Sequence, residues 1–475
     1  MIRYTVGWLL LFEAAFLAIP MLFGIFYGES AAYAFLFSAL ICLAAGALSV
    51  IRKPKSTAFY AREGFIIVSL SWITLSIFGS LPFVLSGVTD SFVDALFEST
   101  SGFTTTGASI FREVEWLPKS ILVWRSFMHW IGGMGVLVFI MAFLPLAGGQ
   151  NMHIMRAEST GPDVSKLVPK VKNTAMILYG IYLALTVMQF IVLLISGMSV
   201  FDSLNTALST AGTGGFGFKN DSFASTTPAQ QIIVTVFMLI FSVNFNSYYL
   251  VLKCKFKDAI NTEVKFLASV VICVIVIITF NIFTSMEHIT NIGEAIRHAA
   301  FTVASLISTT GFTTDNFNLW PSLSQTLLVL IMFIGGCAGS TAGGIKCSRI
   351  IILIKGMLRE LRRIIHPRQV KKITIDSKPV DHEVVRSVNA YIVTFLVVFV
   401  GSLLVVSFDN YDLTTSFTSV VATINNIGPG LGDAYSGFAD FSITSKLVFV
   451  FDMLAGRLEL FPMLILFSPT TYKRV

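Results

Sequence analysis

The stretch VASLISTTGFTTD, at residues 303–315, decides the fold, because the chain carries a second version, FESTSGFTTTGAS, at residues 97–109. Both are short runs of threonine, serine and glycine set among long apolar stretches. Two further runs, STAGTGGF and NNIGPGLG, follow the same plan. All four align without gaps around one glycine, at spacings of 108, 96 and 117 residues, which indicates four structural repeats. The glycines are Gly107, Gly215, Gly311 and Gly428.

The composition is that of a membrane protein. Of the 475 residues, 55% are hydrophobic and only 13% are charged, and the mean hydropathy is +0.78. This charged share is about half that of a soluble domain, so lipid must be the solvent for much of the chain. A helix needs about 20 apolar residues to cross a membrane. Ten stretches qualify, at roughly 6–27, 32–51, 64–85, 120–146, 174–198, 229–252, 264–286, 323–356, 387–408 and 446–468.

Lysine and arginine are distributed unequally between the two sides of these spans. Ten spans place both termini on one side, which we take as the cytoplasm. That side holds 26 lysines and arginines and the outer side holds 5, while Arg125 and Arg457 lie within spans. The bias follows the positive-inside rule and predicts a multi-pass protein with both termini cytoplasmic. It also accounts for the net charge of +6 without a nucleic acid as partner.

No enzyme or metal site is indicated. The chain has no HExxH, GxSxG or CxxC motif and no aspartate pair within a span. His129 stands within a span and is interpreted as a packed, hydrogen-bonded residue rather than a metal ligand. All five cysteines fall in spans or at their inner ends, so we expect no disulfide framework.

The four glycine runs occupy the same place in a repeated unit of span, short apolar segment, glycine run and span. Each short segment is about 12 residues long, too short to cross a membrane, and predicts a half-helix that enters from outside. Asp94 and Asp202 are predicted to cap the first two half-helices. Non-helical backbone at membrane depth must be buried in protein or line a water-filled path.

The predicted fold is therefore an all-α integral membrane protein with pseudo-fourfold symmetry around one central pore. Four span–pore-helix–span repeats follow an N-terminal pair of transmembrane helices. The pair covers 1–51, the repeats cover 62–150, 170–255, 262–356 and 387–475, and a basic cytoplasmic linker covers 357–386.

Four half-helices that converge would direct the negative ends of their dipoles and a ring of carbonyl oxygens at one centre. Such a ring replaces the hydration shell of a monovalent cation, and no ring of carboxylates suits a divalent one. The alternative, ordinary outside turns, does not explain the fourfold recurrence. The predicted filter residues are Thr105, Thr106, Gly107, Thr213, Gly214, Gly215, Thr309, Thr310, Gly311, Asn426, Ile427 and Gly428.

The eighth span contains IGGCAGSTAGGIK, at residues 334–346. Each of its five glycines costs about 1 kcal/mol in a helix relative to alanine, so a loop should break this span. A phosphate-binding loop and small-residue helix packing are alternatives, and a flexible obstruction beneath the filter is favoured. The predicted gate residues in this segment are Gly335, Gly336, Gly339, Ser340, Thr341, Gly343, Gly344 and Lys346.

Two arginines lie within spans. Arg457 should face the pore and find acceptors. It either pairs with Asp452 or Glu459, or stands as a fixed positive charge beneath the filter, in contact with the loop carbonyls. Arg125 lies near the outer end of its span, where snorkelling or a structural ion pair is expected, and it is not assigned to the site.

Together TSGFTTTG, STAGTGGF, STTGFTTD, NNIGPGLG, GGCAGSTAGGIK and GRLEL resemble the potassium-translocating subunit of the bacterial Trk system, within the superfamily of Trk, Ktr and plant relatives. The resemblance implies one pore per subunit, with its filter at the four glycines and a gate at the loop and Arg457. Relatives with serine at the first filter position admit sodium, so Gly107 favours potassium. A homodimer in the bacterial inner membrane and a cytosolic nucleotide-binding regulatory subunit are also implied, with no nucleotide bound by this chain itself.

Two questions stay open in the sequence. The basic segment 355–372 is suited to anionic membrane lipid and to docking of a regulator, and the two are compatible. Transport is either passive through a gated pore or coupled to protons or sodium as a symport. No paired carboxylate marks a coupling site at mid-membrane, which favours the pore.

Overall fold

The computed structural model describes residues 2–52, 61–135, 171–286, 289, 291–368 and 372–472. In that part the regular secondary structure is helical except for one hairpin of two antiparallel strands, β1 (Thr374–Ile375) and β2 (Lys378–Pro379), with Thr374 opposite Pro379. The prediction of an all-α membrane protein is confirmed.

The N-terminal helices α1 (Ile2–Tyr27) and α2 (Ala31–Val50) form a hairpin. Small residues allow close packing, because a Cβ added at Gly46 would lie 2.9 Å from the Gly7 carbonyl oxygen. Glu29, in the turn between the helices, accepts hydrogen bonds from the backbone N–H groups of Lys119 (2.7 Å) and Ser120 (3.0 Å). The Glu29 carboxylate thus attaches the N-terminal helix pair to the first repeat, because it caps the helix of that repeat that begins at Lys119.

Each repeat contains a first helix, a short pore helix and a second helix. Repeat one has α3 (Ala61–Gly79), α4 (Leu81–Leu85), pore helix α5 (Phe92–Phe103) and α6 (Lys119–Gly133). Repeat two has α7 (Val171–Ile195), pore helix α8 (Val200–Gly212), α9 (Pro228–Ser242), α10 (Phe245–Leu252) and α11 (Phe256–Ala259). Repeat three has α12 (Thr262–Ser285), pore helix α13 (Ile292–Ile307), α14 (Ser322–Ile334) and α15 (Cys347–Ile365). Repeat four has α16 (His382–Val406), pore helix α17 (Leu413–Ile424), α18 (Ile443–Arg457) and α19 (Phe461–Phe467). Short 3-10 turns cover Phe317–Leu319, Ser407–Asp409, Gly432–Tyr435 and Pro469–Tyr472.

Within the described ranges, six of the ten predicted spans are single helical segments long and apolar enough to cross a membrane. They are the N-terminal pair and the first span of every repeat: Ile2–Tyr27, Ala31–Val50, Arg62–Leu85, Ala175–Ile195, Thr262–Ser285 and His382–Asp409.

The second spans of repeats two to four are broken. The interruption at 335–346 was predicted from its glycines, but continuous helices at 229–252 and 446–468 were wrongly expected. Helices α9 and α10 meet at 93°, since Asn244 caps the new helix by accepting from the Asn246 N–H. Helix α18 ends because Glu459 and Leu460 adopt left-handed φ values of 59° and 67°. Of the predicted span 120–146, residues 136–146 lie outside the described part.

The pore helices begin at polar caps, but not at the predicted ones. Ser91 and Ser199 cap the first two, and their hydroxyls accept from the N–H groups of Asp94 (3.3 Å) and Asp202 (3.1 Å). The aspartates therefore stand in the first helical turn, where their charge favours the helix dipole. At the fourth pore helix Asp412 is the cap, and hydrogen bonds from Thr415, and then Thr414, lower its pKa.

The repeats pack in a closed cycle. Pore helix α8 lies against α6, α13 against α9, α17 against α14 and α5 against α18, so each pore helix contacts the second helix of the preceding repeat. An ion pair between Asp94 and Lys446, 2.6 Å long, joins the first repeat to the fourth. This cyclic order is the pseudo-fourfold arrangement expected from the sequence.

Candidate functional site

All four pore helices end in the same backbone turn. A residue with a φ of 54–58° is followed by one whose N–H donates, at 2.8–3.0 Å, to the carbonyl five residues earlier. This 6→1 bond is typical of a Schellman helix end. Left-handed φ is a genuine outlier for threonine, and such strain collects at functional sites. The left-handed residues are Thr105, Thr213, Thr309 and Asn426, and the donors are Thr106, Gly214, Thr310 and Ile427.

The next residue in every turn is the glycine around which the runs were aligned, with a φ of 79–97°. A Cβ added there would meet a carbonyl of the following repeat: Gly107 faces Gly214, Gly215 faces Thr310, Gly311 faces Ile427 and Gly428 faces Thr106. The contacts run from repeat one to four and back to one, so the turns form a closed ring, called the filter ring below. Both φ and space require glycine at these positions.

One cavity of about 370 Å³ is lined by all four ring glycines and by the segments that follow them. The predicted filter residues of the four runs thus come together at one place. Gly102, part of the repeated phrase in the first run, lies instead within α5.

A buried ion pair of the first repeat also contacts the second quarter of the ring. Arg125 donates through Nε to Glu98 (2.7 Å), through Nη1 to the Gly217 carbonyl (3.1 Å) and through Nη2 to Ser109 Oγ (3.1 Å). Both charged side chains are buried, with 2% and 0% of their surfaces exposed. Of the two expected roles for Arg125, the structure shows the ion pair and not snorkelling. Glu98 was missed, although an acid inside a half-helix was a usable signal.

His129 also connects the first two quarters of the ring. Its Nδ1 lies 2.8 Å from the Gly102 carbonyl, and its Nε2 accepts from the Phe216 N–H at 3.1 Å, so the proton belongs on Nδ1. A Cβ on Gly214 would collide with the imidazole ring. The interpretation of His129 as a packed, hydrogen-bonded residue is confirmed, and the described residues contain no cluster of three or more metal-ligating side chains.

The other two quarters contact residues 335–346, called the loop below. Thr309 Oγ1 accepts from the Gly343 N–H at 2.7 Å. A Cβ on Gly343 would collide with the Asn425 carbonyl. Asn426 donates through Nδ2 to Thr106 Oγ1 (3.0 Å) and to the Met453 carbonyl (2.9 Å), so it joins the fourth quarter to the first.

The loop is held in a defined conformation between the filter ring and the bend of α9 and α10. Gly335, Gly339, Gly344 and Lys346 have φ values of 71–80°. The Cys337 N–H donates to Ser242, and the Phe245 N–H donates to Gly339. The loop follows a helix rather than a strand, and several of its N–H groups are bonded within the protein, which does not fit the phosphate-binding alternative. The predicted gate residues Gly336, Ser340 and Thr341 belong to the same loop, where the Ser340 hydroxyl donates to Cys337 and that of Thr341 to Phe241.

Arg457 ties the loop to the first repeat. Its Nη1 donates to the Thr341 carbonyl (2.8 Å) and its Nη2 to the Gly132 and Gly133 carbonyls (both 2.6 Å). Asp452 accepts from Ser402, and Glu459 pairs with Arg349. Arg457 therefore contacts carbonyl oxygens of the loop and of the end of α6. Lys346 is buried as well and donates to the Ala342 carbonyl within the loop.

Glu263, in the first turn of α12, was not recognised in the sequence. Its Oε1 accepts from the Ala338 N–H (2.7 Å) and from the Ser348 N–H (3.0 Å), so one carboxylate holds the loop and the helix that follows it. An acid at the start of a span is ordinary, because it favours the helix dipole, and only its burial, with 8% exposed, sets this one apart.

Similar proteins agree with this architecture. A family model for TrkH, described as a cation transport protein, matches residues 31–472. The chain is 36% identical to the Trk system potassium uptake protein TrkH of Salmonella typhimurium (strain LT2), over 99% of each chain. It is 32% identical to TrkG of Escherichia coli (strain K12), over 94% of this chain and 93% of that protein. The crystal structure of the potassium transporter TrkH from Vibrio parahaemolyticus superimposes with a TM-score of 0.89, at 32% identity and over 99% of both chains.

Proposed function

Because the chain belongs to the TrkH family of cation transport proteins, we propose that it carries potassium ions into the cell across the bacterial inner membrane. The observation that carries the proposal is the closed filter ring, with its four glycines lining one cavity. Relatives named as potassium uptake proteins support the choice of ion. The chain is accordingly a transport protein and not an enzyme.

In the proposed mechanism an ion exchanges its water for backbone oxygens. The carbonyls of the residues before the ring glycines supply them, at the negative ends of four helix dipoles. The ligands are uncharged backbone oxygens, because the ring has no space for side chains. Uncharged ligands suit a monovalent cation, since the ring must also release the ion. The carbonyls are those of Thr106, Gly214, Thr310 and Ile427.

The loop is the proposed gate. Lys346 and Arg457, 1% and 7% exposed, place two positive charges beneath the ring, and their field opposes passage of a cation. Opening requires Arg457 to release the Thr341 carbonyl or those of Gly132 and Gly133. Because those acceptors belong to two elements, the guanidinium group acts as a latch between them.

Regulation is proposed to come from a partner. A cytosolic subunit that binds nucleotide would act on the basic side of the protein, which is oriented to the cytoplasm with both termini, and two copies of the chain would form a dimer. The chain itself is not proposed to bind nucleotide, and potassium is its only proposed ion.

The test of transport is current in proteoliposomes at set voltages. Current that reverses at the potassium equilibrium potential, whatever the proton or sodium gradient, is expected for a passive pore. A reversal potential that follows either of those gradients would replace the pore by a symporter, and equal currents for sodium and potassium would contradict the assignment of potassium.

The test of the filter is growth of a potassium-uptake-deficient bacterium at low external potassium. We expect the parent chain to rescue growth and Gly311→Ser to fail, because a side chain there meets the Ile427 carbonyl of the ring. Gly107→Ser, which has the residue of relatives that admit sodium, should weaken rescue because the ring loses its preference for potassium. The matched control is Gly197→Ser, since Gly197 has the same φ of 86° as Gly311 but has open space around it. Equal growth of all three variants would contradict the proposal that the ring glycines form the filter.

A further inference from the structure

A cleft lies between the end of α15 and the strand hairpin, away from the filter ring, and has a volume of about 740 Å³. We propose that this cleft binds the phosphate headgroup of an anionic phospholipid. Its lining carries five cationic side chains and one carboxylate: Lys355, Arg359, Arg362, Arg363, Lys372 and Glu360.

The positive charge of the cleft is not balanced by the protein. Glu360 pairs with Arg359 at 2.8 Å and with Arg363 at 3.6 Å, which uses the one acid in the lining. Among the described residues, Arg362 and Lys372 form no ion pair. A net charge of four positive units in one concave site favours a phosphate group, which guanidinium and ammonium groups bind through charge-assisted hydrogen bonds.

Both walls of the cleft are fixed by contacts. Ile373 is buried, and its Cδ1 lies 3.9 Å from the position of a Cβ on Gly356 of α15. Lys355 Nζ donates to the Thr374 carbonyl at 2.7 Å. At the tip of the hairpin Asp376 accepts from the Thr262 N–H (2.8 Å) and hydroxyl (2.6 Å). The hairpin therefore stays on α15, and the cleft exists before a ligand arrives.

The surface beside the cleft selects a lipid over a free anion. Leu358 lines the cleft, and Leu361 and Ile365 follow it at helical spacing on α15, with 43%, 51% and 69% of their surfaces exposed. An apolar stripe next to a basic site is the pattern of a helix at the membrane interface. A phospholipid would place its phosphate among the cations and an acyl chain along the stripe, whereas inorganic phosphate would leave the stripe exposed.

The cleft is connected to the loop at two points, which makes the lipid a candidate regulator; this step rests on the proposed function. One wall, α15, begins directly after Lys346. The other wall is held through Asp376 to Thr262, next to Glu263, whose carboxylate bonds Ala338 and Ser348. A headgroup that bridges the walls would hold α12 and α15 together and so restrain both attachments of the loop.

The binding test is native mass spectrometry of the purified full chain with phosphatidylglycerol or phosphatidylcholine. We expect retention of phosphatidylglycerol over phosphatidylcholine, and about 30-fold weaker retention in Arg362→Ala/Lys372→Ala, from the usual contribution of two basic residues near a lipid surface. The matched control is Lys255→Ala/Lys257→Ala, which removes two exposed lysines outside the cleft. The charge-conserving Arg362→Lys/Lys372→Arg should retain the lipid, which separates loss of charge from misfolding.

Equal retention of the two lipids, or equal loss in the cleft and control variants, would overturn the site. A competition arm with inorganic phosphate tests the source of the phosphate group. If inorganic phosphate displaces phosphatidylglycerol at equal concentration, the site takes a free anion and the lipid assignment fails. Because this readout needs no potassium flux, its failure is distinct from failure of the proposed transport.

Discussion

The filter ring and the loop beneath it touch each other, yet they are built in opposite ways. The ring is made four times from backbone: a left-handed residue, a carbonyl and a glycine, closed from repeat one to repeat four. In the part of the chain that the structure describes, the loop occurs once, and it is fixed by charged side chains, chiefly Arg457 and Glu263. Coordination of an ion needs ligands on all sides, so it uses the symmetry of the repeats. In the proposed mechanism, obstruction needs a single segment beneath the ring, and the loop of repeat three would supply it.

The four quarters of the ring are not equivalent, because only two of them contact the loop. Its first two quarters are joined behind the backbone by Glu98, Arg125 and His129. Its third and fourth quarters instead contact the loop, through Thr309 and Asn425. Changes in the first half should therefore alter the ring, whereas changes in the second half should alter the gate.

Arg125→Ala is expected to have the largest effect. It leaves Glu98 buried without its cation, and breaking a buried ion pair costs about 3–5 kcal/mol in the free energy of unfolding. The measurement is thermal or chemical unfolding in detergent, together with potassium-over-sodium selectivity, which should fall because Gly217 and Ser109 lose their donor.

The control is Arg112→Ala, which breaks the exposed pair with Asp440, whose side chains are 61% and 63% exposed. An exposed pair contributes at most about 1 kcal/mol. If Arg125→Ala unfolds like Arg112→Ala, the first half of the ring is not held by its buried pair.

Arg457→Ala tests the loop, which is the second of the two regions compared. Removing the latch should raise potassium flux in the absence of a regulator about tenfold or more, because one charge-assisted hydrogen bond contributes about 1.5–3 kcal/mol. Selectivity should stay unchanged, since the ring backbone is untouched. Flux into proteoliposomes is the measurement.

Two further variants sharpen this test. Arg457→Lys keeps the charge but lacks the planar guanidinium fork whose two terminal nitrogens reach different elements, so its flux should lie between those of the parent and the alanine variant. Shortening 336–344 removes the obstruction directly and should raise flux as well. If Arg457→Ala and the shortened chain both conduct like the parent, the loop is not the gate.

The sequence predicts more of the ring than of the loop, because the ring is repeated and the loop is not. The ring could be predicted down to Gly107, Gly215, Gly311 and Gly428, because repetition marks it and glycine has few other uses there. The break at 335–346 could be predicted from glycine content. Contact of Arg457 with the loop carbonyls was one of the two alternatives that the sequence offered. The role of Glu263 could not be predicted, because it bonds residues far along the chain and looks like an ordinary charge at a helix start. The left-handed break at Glu459 and Leu460 also had no signal, since neither residue favours that φ.

Glu263→Ala is expected to have a smaller effect than loss of the latch. The N–H groups of Ala338 in the loop and of Ser348 in α15 would lose their acceptor. Loss of the one hydrogen bond to the loop, at about 1 kcal/mol, should increase flux several-fold. Hydrogen exchange of the amides between 336 and 348 is the direct measurement, and their protection should fall.

The matched variant is Glu263→Gln, whose amide oxygen can accept both hydrogen bonds without the charge. It should retain most of the protection of these amides. If the glutamine variant behaves like alanine, the charge of Glu263 near Lys346 matters more than its hydrogen bonds, and the carboxylate belongs to the electrostatics of the proposed gate.

The smallest expected effect comes from removing the contact between the ring and the loop. Thr309 and Thr213 occupy equivalent places in the ring with φ values of 58° and 55°. The Thr309 hydroxyl accepts from Gly343 of the loop, whereas the Thr213 hydroxyl donates to Gly212 in its own helix end. Valine has the same shape without the hydroxyl, so backbone strain is matched between the two variants. Thr309→Val should raise resting flux a few-fold, by about 1 kcal/mol, and Thr213→Val should leave it unchanged. Equal fluxes in the two variants would mean that the loop is held without the ring, and that the two regions touch without influencing each other.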